Sequence, residues 1–85
     1  MIEFDPEKDR QNVTKHGISL ARAEDLDVIV NVRDIRFEEP RYRAYGYIND
    51  ELYCLAYTMR AQAVRAISLR RSRRKELLRY VQTED

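Results

Sequence analysis

Two groups of residues in this chain have types and spacing suited to chemistry on an anion. The first is the run Arg65-Ala66-Ile67-Ser68-Leu69-Arg70, with Arg60 before it and Arg74 after it. Guanidinium groups offer rigid planar forks of donors that match phosphate oxygens. Tyr42, Tyr45, Tyr47, Tyr53 and Tyr57 fall on neighbouring extended segments, so several must share a sheet face. Rings beside arginines are the parts of a single-stranded nucleic-acid surface, because bases stack on the rings while guanidiniums hold phosphates. Tyrosines in strands also sit at a core boundary with the hydroxyl wet, and for each of them that reading stays open. The second group is Lys15-His16-Gly17. His16 is the only histidine, and its ordinary pKa lies near neutrality, which suits proton transfer at a ribose hydroxyl or a leaving oxygen. A histidine in a last helical turn also does plainer work, donating to free carbonyls or meeting the helix dipole.

The charge is unevenly placed. Residues 52–83 hold eight Lys or Arg and the single acid Glu76, a local net of +7, whereas residues 1–51 carry a net of −4. A near-neutral chain with one basic face is built to meet something anionic there, and RNA is the leading candidate. Eighty-five residues with 44% apolar and 36% charged content point to one domain, 1–85, with a modest core. The lone Cys54 lies in an apolar run and reads as a buried hydrophobe in a reducing compartment. No long apolar stretch and no signal pattern occur, so a cytoplasmic protein without membrane attachment is expected. One His, one Cys and no spaced ligand set argue against a zinc centre, and Glu24, Asp25 and Asp27 read as a solvated face. Two glycines cannot build a phosphate loop, and no hydrolase triad is visible. No metal and no cofactor is expected.

The elements that must position these groups are legible in outline. Ile2 and Phe4 alternate with acids as a short strand. Asp5-Pro6-Glu7 carries the start signals of a helix over about 6–16, and Gly17 ends it. Ser19 caps a second helix with Leu20, Ala23 and Leu26 along one side. Val28 to Val32 reads as a strand, Asp34 to Pro40 as a turn or edge strand, and Tyr42 to Ile48 as an extended aromatic segment. Asn49-Asp50-Glu51 turns into the strand Leu52 to Arg60, and Ala61-Gln62-Ala63 turns into Val64 to Leu69. Ser72 then caps a helix with Leu77, Leu78 and Val81 on its apolar side. The order is β-α-α-β-β-β-β-α, an α+β fold: an antiparallel sheet of about four strands plus the short N-terminal one, with helices packed on one face.

Hairpin register decides which groups share a face. A three-residue turn pairs Arg60 with Val64 and lines up Arg60, Thr58, Ser68 and Arg70. A four-residue turn pairs Arg60 with Arg65 and brings Tyr57 beside Ser68 and Arg70. Ser68 and Arg70 stay together either way, which makes Arg70 the safest phosphate contact.

Five short motifs in order then resemble the BrnT-type toxins. They are Phe4 with Lys8; Lys15-His16-Gly17-Ile18-Ser19; Arg41 with Gly46; Tyr57-Thr58 with Arg60; and Arg65, Ile67-Ser68, Arg70, Ser72, Glu76 and Tyr80. The resemblance runs from about Ile2 to Tyr80. It departs at Asp27, where the family commonly has an aromatic residue, so the second helix should end early. It departs also at Pro40, which replaces a common glutamate. The resemblance implies a RelE-like fold and the toxin of a bacterial type II toxin–antitoxin system, a metal-independent ribonuclease that inhibits translation. It also implies a ribbon-helix-helix, BrnA-type antitoxin and a toxin–antitoxin hetero-oligomer. On this chain it assigns Arg60, Arg65 and Arg70 to phosphate binding and charge stabilisation, and Lys15 and His16 to proton transfer. Tyr57, Ser68, Arg74 and Tyr80 would bind substrate. The alternative is a non-catalytic module that uses the same basic face to hold nucleic acid or the antitoxin.

Overall fold

The computed structural model describes residues 2–81. After β1 (Ile2–Glu3), the Asp5 carboxylate accepts the Glu7 N–H at 2.9 Å and Pro6 takes the first helical position. This starts α1 (Pro6–His16), which ends where Gly17 adopts a φ of 74° and donates its N–H to the Val13 carbonyl. The Ser19 hydroxyl accepts from the Ala21 N–H, as expected of a cap. What it caps is a 3-10 helix, Leu20–Asp25. The three-residue spacing of Leu20, Ala23 and Leu26 is the period of that tighter helix, in which such side chains eclipse. Asp9 ties it to α1, accepting from the Ser19 hydroxyl at 2.9 Å and the Leu20 N–H at 2.7 Å.

Four strands follow, β2 (Asp27–Arg33), β3 (Tyr42–Ile48), β4 (Glu51–Arg60) and β5 (Ala63–Arg71), and then α2 (Arg74–Leu78). The sheet order is β1-β5-β4-β3-β2. Strands β2 to β5 form an antiparallel meander, while β1 pairs in parallel with β5, Ile2 opposite Val64. The sheet is therefore mixed rather than purely antiparallel. The two helices carry the chain from β1 to the far edge, and the meander returns β5 pointing the same way as β1.

The α+β class stands, but the helices do not share one face. Ile18, Leu20 and Ala23 pack on Ala44, Leu55, Ala66 and Leu69, whereas Leu77 of α2 packs with Tyr45, Leu52 and Cys54. Neighbours in a strand point to opposite faces, so Leu55 and Cys54 mark two sides of the sheet. The α1 side is already filled when the chain leaves β5. The apolar residues left on the other side are what α2 covers. Ser72 does not cap α2: Arg73 occupies the cap position without a side-chain bond, and Ser72 Oγ donates to Glu76 at 3.0 Å.

Both hairpins turn in two residues. Asn49 and Asp50 tolerate their positive φ. Ala61 and Gln62 also have positive φ, 52° and 69°, without that tolerance, at a cost of about 1–2 kcal/mol each. Arg60 thus pairs with Ala63, in neither of the registers anticipated. Ser68 pairs with Ala56 but Ala66 with Tyr57, leaving Ile67 as a bulge. The extra residue reverses the alternation. Arg65, Ser68 and Arg70 consequently lie on one face, opposite Thr58, Ala56 and Cys54 of β4. At the other side of the sheet, Gly46 lets β2 approach closely, since a Cβ there would run into the Asp27 and Val28 backbone.

Candidate active site

The outer edge of β5 beside the bulge is covered by one side chain. Asn12 of α1, 4% exposed, donates to the Leu69 carbonyl at 2.8 Å and accepts the Leu69 N–H at 3.0 Å. It behaves as a one-residue strand, and it also donates to the Ile18 carbonyl at 2.9 Å. An asparagine in a helix interior is unfavourable for the helix itself; here its edge-pairing fixes the end of α1 against β5. Between them lies a hollow of about 440 Å³ lined by Lys8, Asn12, Lys15, His16, Ser68 and Arg70. The two groups singled out in the sequence therefore face each other. Burial lowers the His16 pKa from its ordinary value, and the charges of Lys15 and Arg70 lower it further. Both causes favour the neutral imidazole, the form that can accept a proton.

Arg70 is held from behind. Its two terminal nitrogens donate to the Glu76 carboxylate at 3.1 and 2.6 Å. Glu76 also accepts from Tyr45 Oη at 3.0 Å and from Ser72 Oγ. Arg43 donates to the hydroxyls of Tyr45 and Tyr80 at 3.1 and 2.9 Å, and those two rings stack with centroids 5.5 Å apart. Tyr80 thus closes the network that orients Arg70. Hydrogen bonds from Arg70, and then from Ser72 and Tyr45, pull the Glu76 carboxyl down to about 2, overcoming its burial. A depressed carboxyl pKa adds stability above its unfolded value that disappears as pH falls through the folded one. Acid titration of the wild type is expected to lose on the order of 2 kcal/mol between about pH 4.5 and 2 from this group. Urea unfolding of wild type and Glu76→Gln across that window measures the difference, which should shrink as pH falls.

The remaining predicted residues lie elsewhere. Arg65 is 3.7 Å from Glu3, beside β1. Arg60 is exposed at the hairpin end, and at roughly 3.3 Å per residue its partner Ala63 lies on the order of 20 Å from Arg70. Tyr57 is on the opposite face, its hydroxyl donating to Asn31 at 2.6 Å and its ring stacked on Tyr42. Arg74 is exposed at the start of α2. The sequence reading missed Asn12, Arg43 and the supporting roles of Tyr45 and Glu76. Tyr45 stood out only as one of several strand tyrosines, and Glu76 as the one acid in the basic segment. Among the described residues, no cluster of three or more His, Cys, Asp or Glu occurs and no helix is long and apolar enough to cross a membrane.

The hollow gathers Lys8, Lys15, Arg70 and His16 at the edge of a small mixed sheet, residue types that suit a phosphodiester. The family model described as "Ribonuclease toxin, BrnT, of type II toxin-antitoxin system" matches residues 4–76. The chain belongs to this family of ribonuclease toxins. Membership implies an RNA substrate and an antitoxin partner. The fold is similar to the crystal structure of the Brucella abortus ribonuclease toxin BrnT, with a TM-score of 0.63, 22% sequence identity, and coverage of 86% of this chain and 96% of that one. No curated protein sequence matches.

Proposed function

We propose that RNA is cut in the hollow between α1 and β5, without a metal, and that this cutting inhibits translation. The observation that carries the reading is the meeting of a neutral imidazole, His16, with Lys8, Lys15 and Arg70 around one space. His16 takes the proton of a ribose 2′-hydroxyl as its oxygen attacks the adjacent phosphorus. The P–O5′ bond breaks, a proton from Lys15 goes to the departing oxygen, and a 2′,3′-cyclic phosphate remains. Arg70 answers the extra negative charge of the five-coordinate phosphorus, and Ser68 donates to a phosphate oxygen. Arg43, Tyr45, Glu76 and Tyr80 are positioning residues that act through Arg70. Arg60, Arg65 and Arg74 serve, on this reading, as outlying contacts for a longer RNA, while Tyr57, its ring on Tyr42 and its hydroxyl on Asn31, serves the opposite face of the sheet. The partner is a ribbon-helix-helix, BrnA-type antitoxin, the assembly is a hetero-oligomer, and the compartment is the cytoplasm.

Incubating the purified chain with total RNA tests this directly. Cleavage is expected to be equal with and without EDTA and to leave cyclic-phosphate 3′ ends. Activity that EDTA abolishes would overturn the mechanism, and no cleavage at all would leave the face as one that only binds.

A further inference from the structure

The loop between β2 and β3, residues 34–41, walls a second hollow of about 200 Å³, and the cleavage chemistry uses none of these loop residues. It shares Ser68 and Arg70 with the first hollow and reaches them over the sheet face, past Cys54 and Ala56. Its own walls are Asp34, Arg36, Phe37, Arg41 and Arg43. The loop is built, not loose. Asp34 is 5% exposed, its N–H donates to the Arg41 carbonyl at 2.7 Å, and its carboxylate receives Arg36 at 2.9 and 2.6 Å. The one carboxylate of the hollow is therefore satisfied by Arg36 from inside the loop, with the Nε of Arg43 on β3 standing 3.7 Å from it.

What remains is cationic and flat. The Arg41 guanidinium lies 4.2 Å from the centroid of the Phe37 ring, with Glu39 no nearer than 3.9 Å. Phe37 keeps 39% of its surface exposed. Arg43 is already held: its terminal nitrogens donate to Tyr45 and Tyr80, and its buried Nε, without a hydrogen bond among the described residues, lies 3.7 Å from Asp34. An exposed ring paired with a planar cation is a stacking platform, and the Arg41 guanidinium, which among the described residues meets a carboxylate only at 3.9 Å, suits a phosphate. Because Arg70 belongs to both hollows, a phosphate held at Arg70 stands at the boundary between them.

We propose that this hollow is a subsite for the nucleotide adjacent to the cleaved phosphate, with Arg41 on its phosphate and Phe37 against its base. The proposal rests on the reading of the Arg70 hollow as the place of cleavage. It is tested with RNA oligonucleotides that carry 2′-deoxyribose at the cut position, so that binding is read without reaction. A dinucleotide is compared with the same dinucleotide extended by one residue on the 5′ or the 3′ side. One extension is expected to tighten binding about tenfold, the size of one stacked base. In Phe37→Leu and Arg41→Gln the ratio of long to short affinities should fall toward one. A ratio that both variants retain, or no gain from either extension, overturns the subsite. Intact binding ratios together with no cleavage of the all-ribose oligonucleotides overturn the cleavage reading and leave the subsite standing. An antitoxin that binds Phe37→Leu and Arg41→Gln more weakly, while the nucleotide ratio is unchanged, assigns the loop to the protein partner and also overturns it.

Discussion

Arg70→Ala is expected to lower the rate of RNA cleavage by about 10²–10³-fold, the usual loss when one preorganised donor to developing charge is removed. The magnitude follows from how Arg70 is held. Its two terminal nitrogens are committed to Glu76, which leaves the Nε edge of the fork for a phosphate and fixes the direction in which that edge points. The side chain is half-buried, so its charge acts where water screens it less. Removing it also strips Glu76 of its main partner, and stability should fall by about 1–3 kcal/mol. Arg70→Lys separates the two effects: an ammonium restores a charge near Glu76 but not the planar fork. Single-turnover rates and thermal unfolding, measured together, should show stability largely recovered and cleavage still at least about tenfold down. An alanine variant that cuts at the wild-type rate would remove Arg70 from the reaction. Glu76→Gln should lie between, keeping an acceptor while losing the charge that aligns the guanidinium.

The basic segment could be located from charge alone, and the pairing of Ser68 with Arg70 from strand parity. The family motifs then supplied the link to Lys15 and His16, which are distant in sequence. What escaped was set by features that leave weak marks. The Ile67 bulge decides that Arg65 joins the face of Ser68 and Arg70, yet nothing in Ala66-Ile67-Ser68 announces an extra residue. The turn at Ala61-Gln62 lacks the Asn or Gly that usually marks two positive φ values, so the residues do not mark its length. Asn12 pairs with a strand remote in sequence, an interaction invisible in local helical periodicity. The position of α2 depended on which sheet face remained uncovered after α1 had packed, a consequence of the assembled fold and not of the segment 72–81.

His16→Ala is expected to cost about 10²–10⁴-fold in cleavage, the range for a positioned acid–base group. The pH profile distinguishes that role from a structural one. Burial, Lys15 and Arg70 all disfavour the imidazolium, so His16 in the free protein titrates below its ordinary value. A base must be neutral to work. The wild-type kcat/KM should therefore be flat near neutral pH and fall only below about pH 6.5. The alanine variant should lose that acid limb as well as most of the rate. Lys15→Gln provides the sharper measurement. Whatever it does to the height of the profile, it removes one of the two charges that depress His16, so the acid limb should move to higher pH. A histidine that merely ends α1 would leave the position of the limb unchanged. Full activity of His16→Ala from pH 5 to 8 would assign proton transfer to another group, and the hollow would then owe its function to its cations alone.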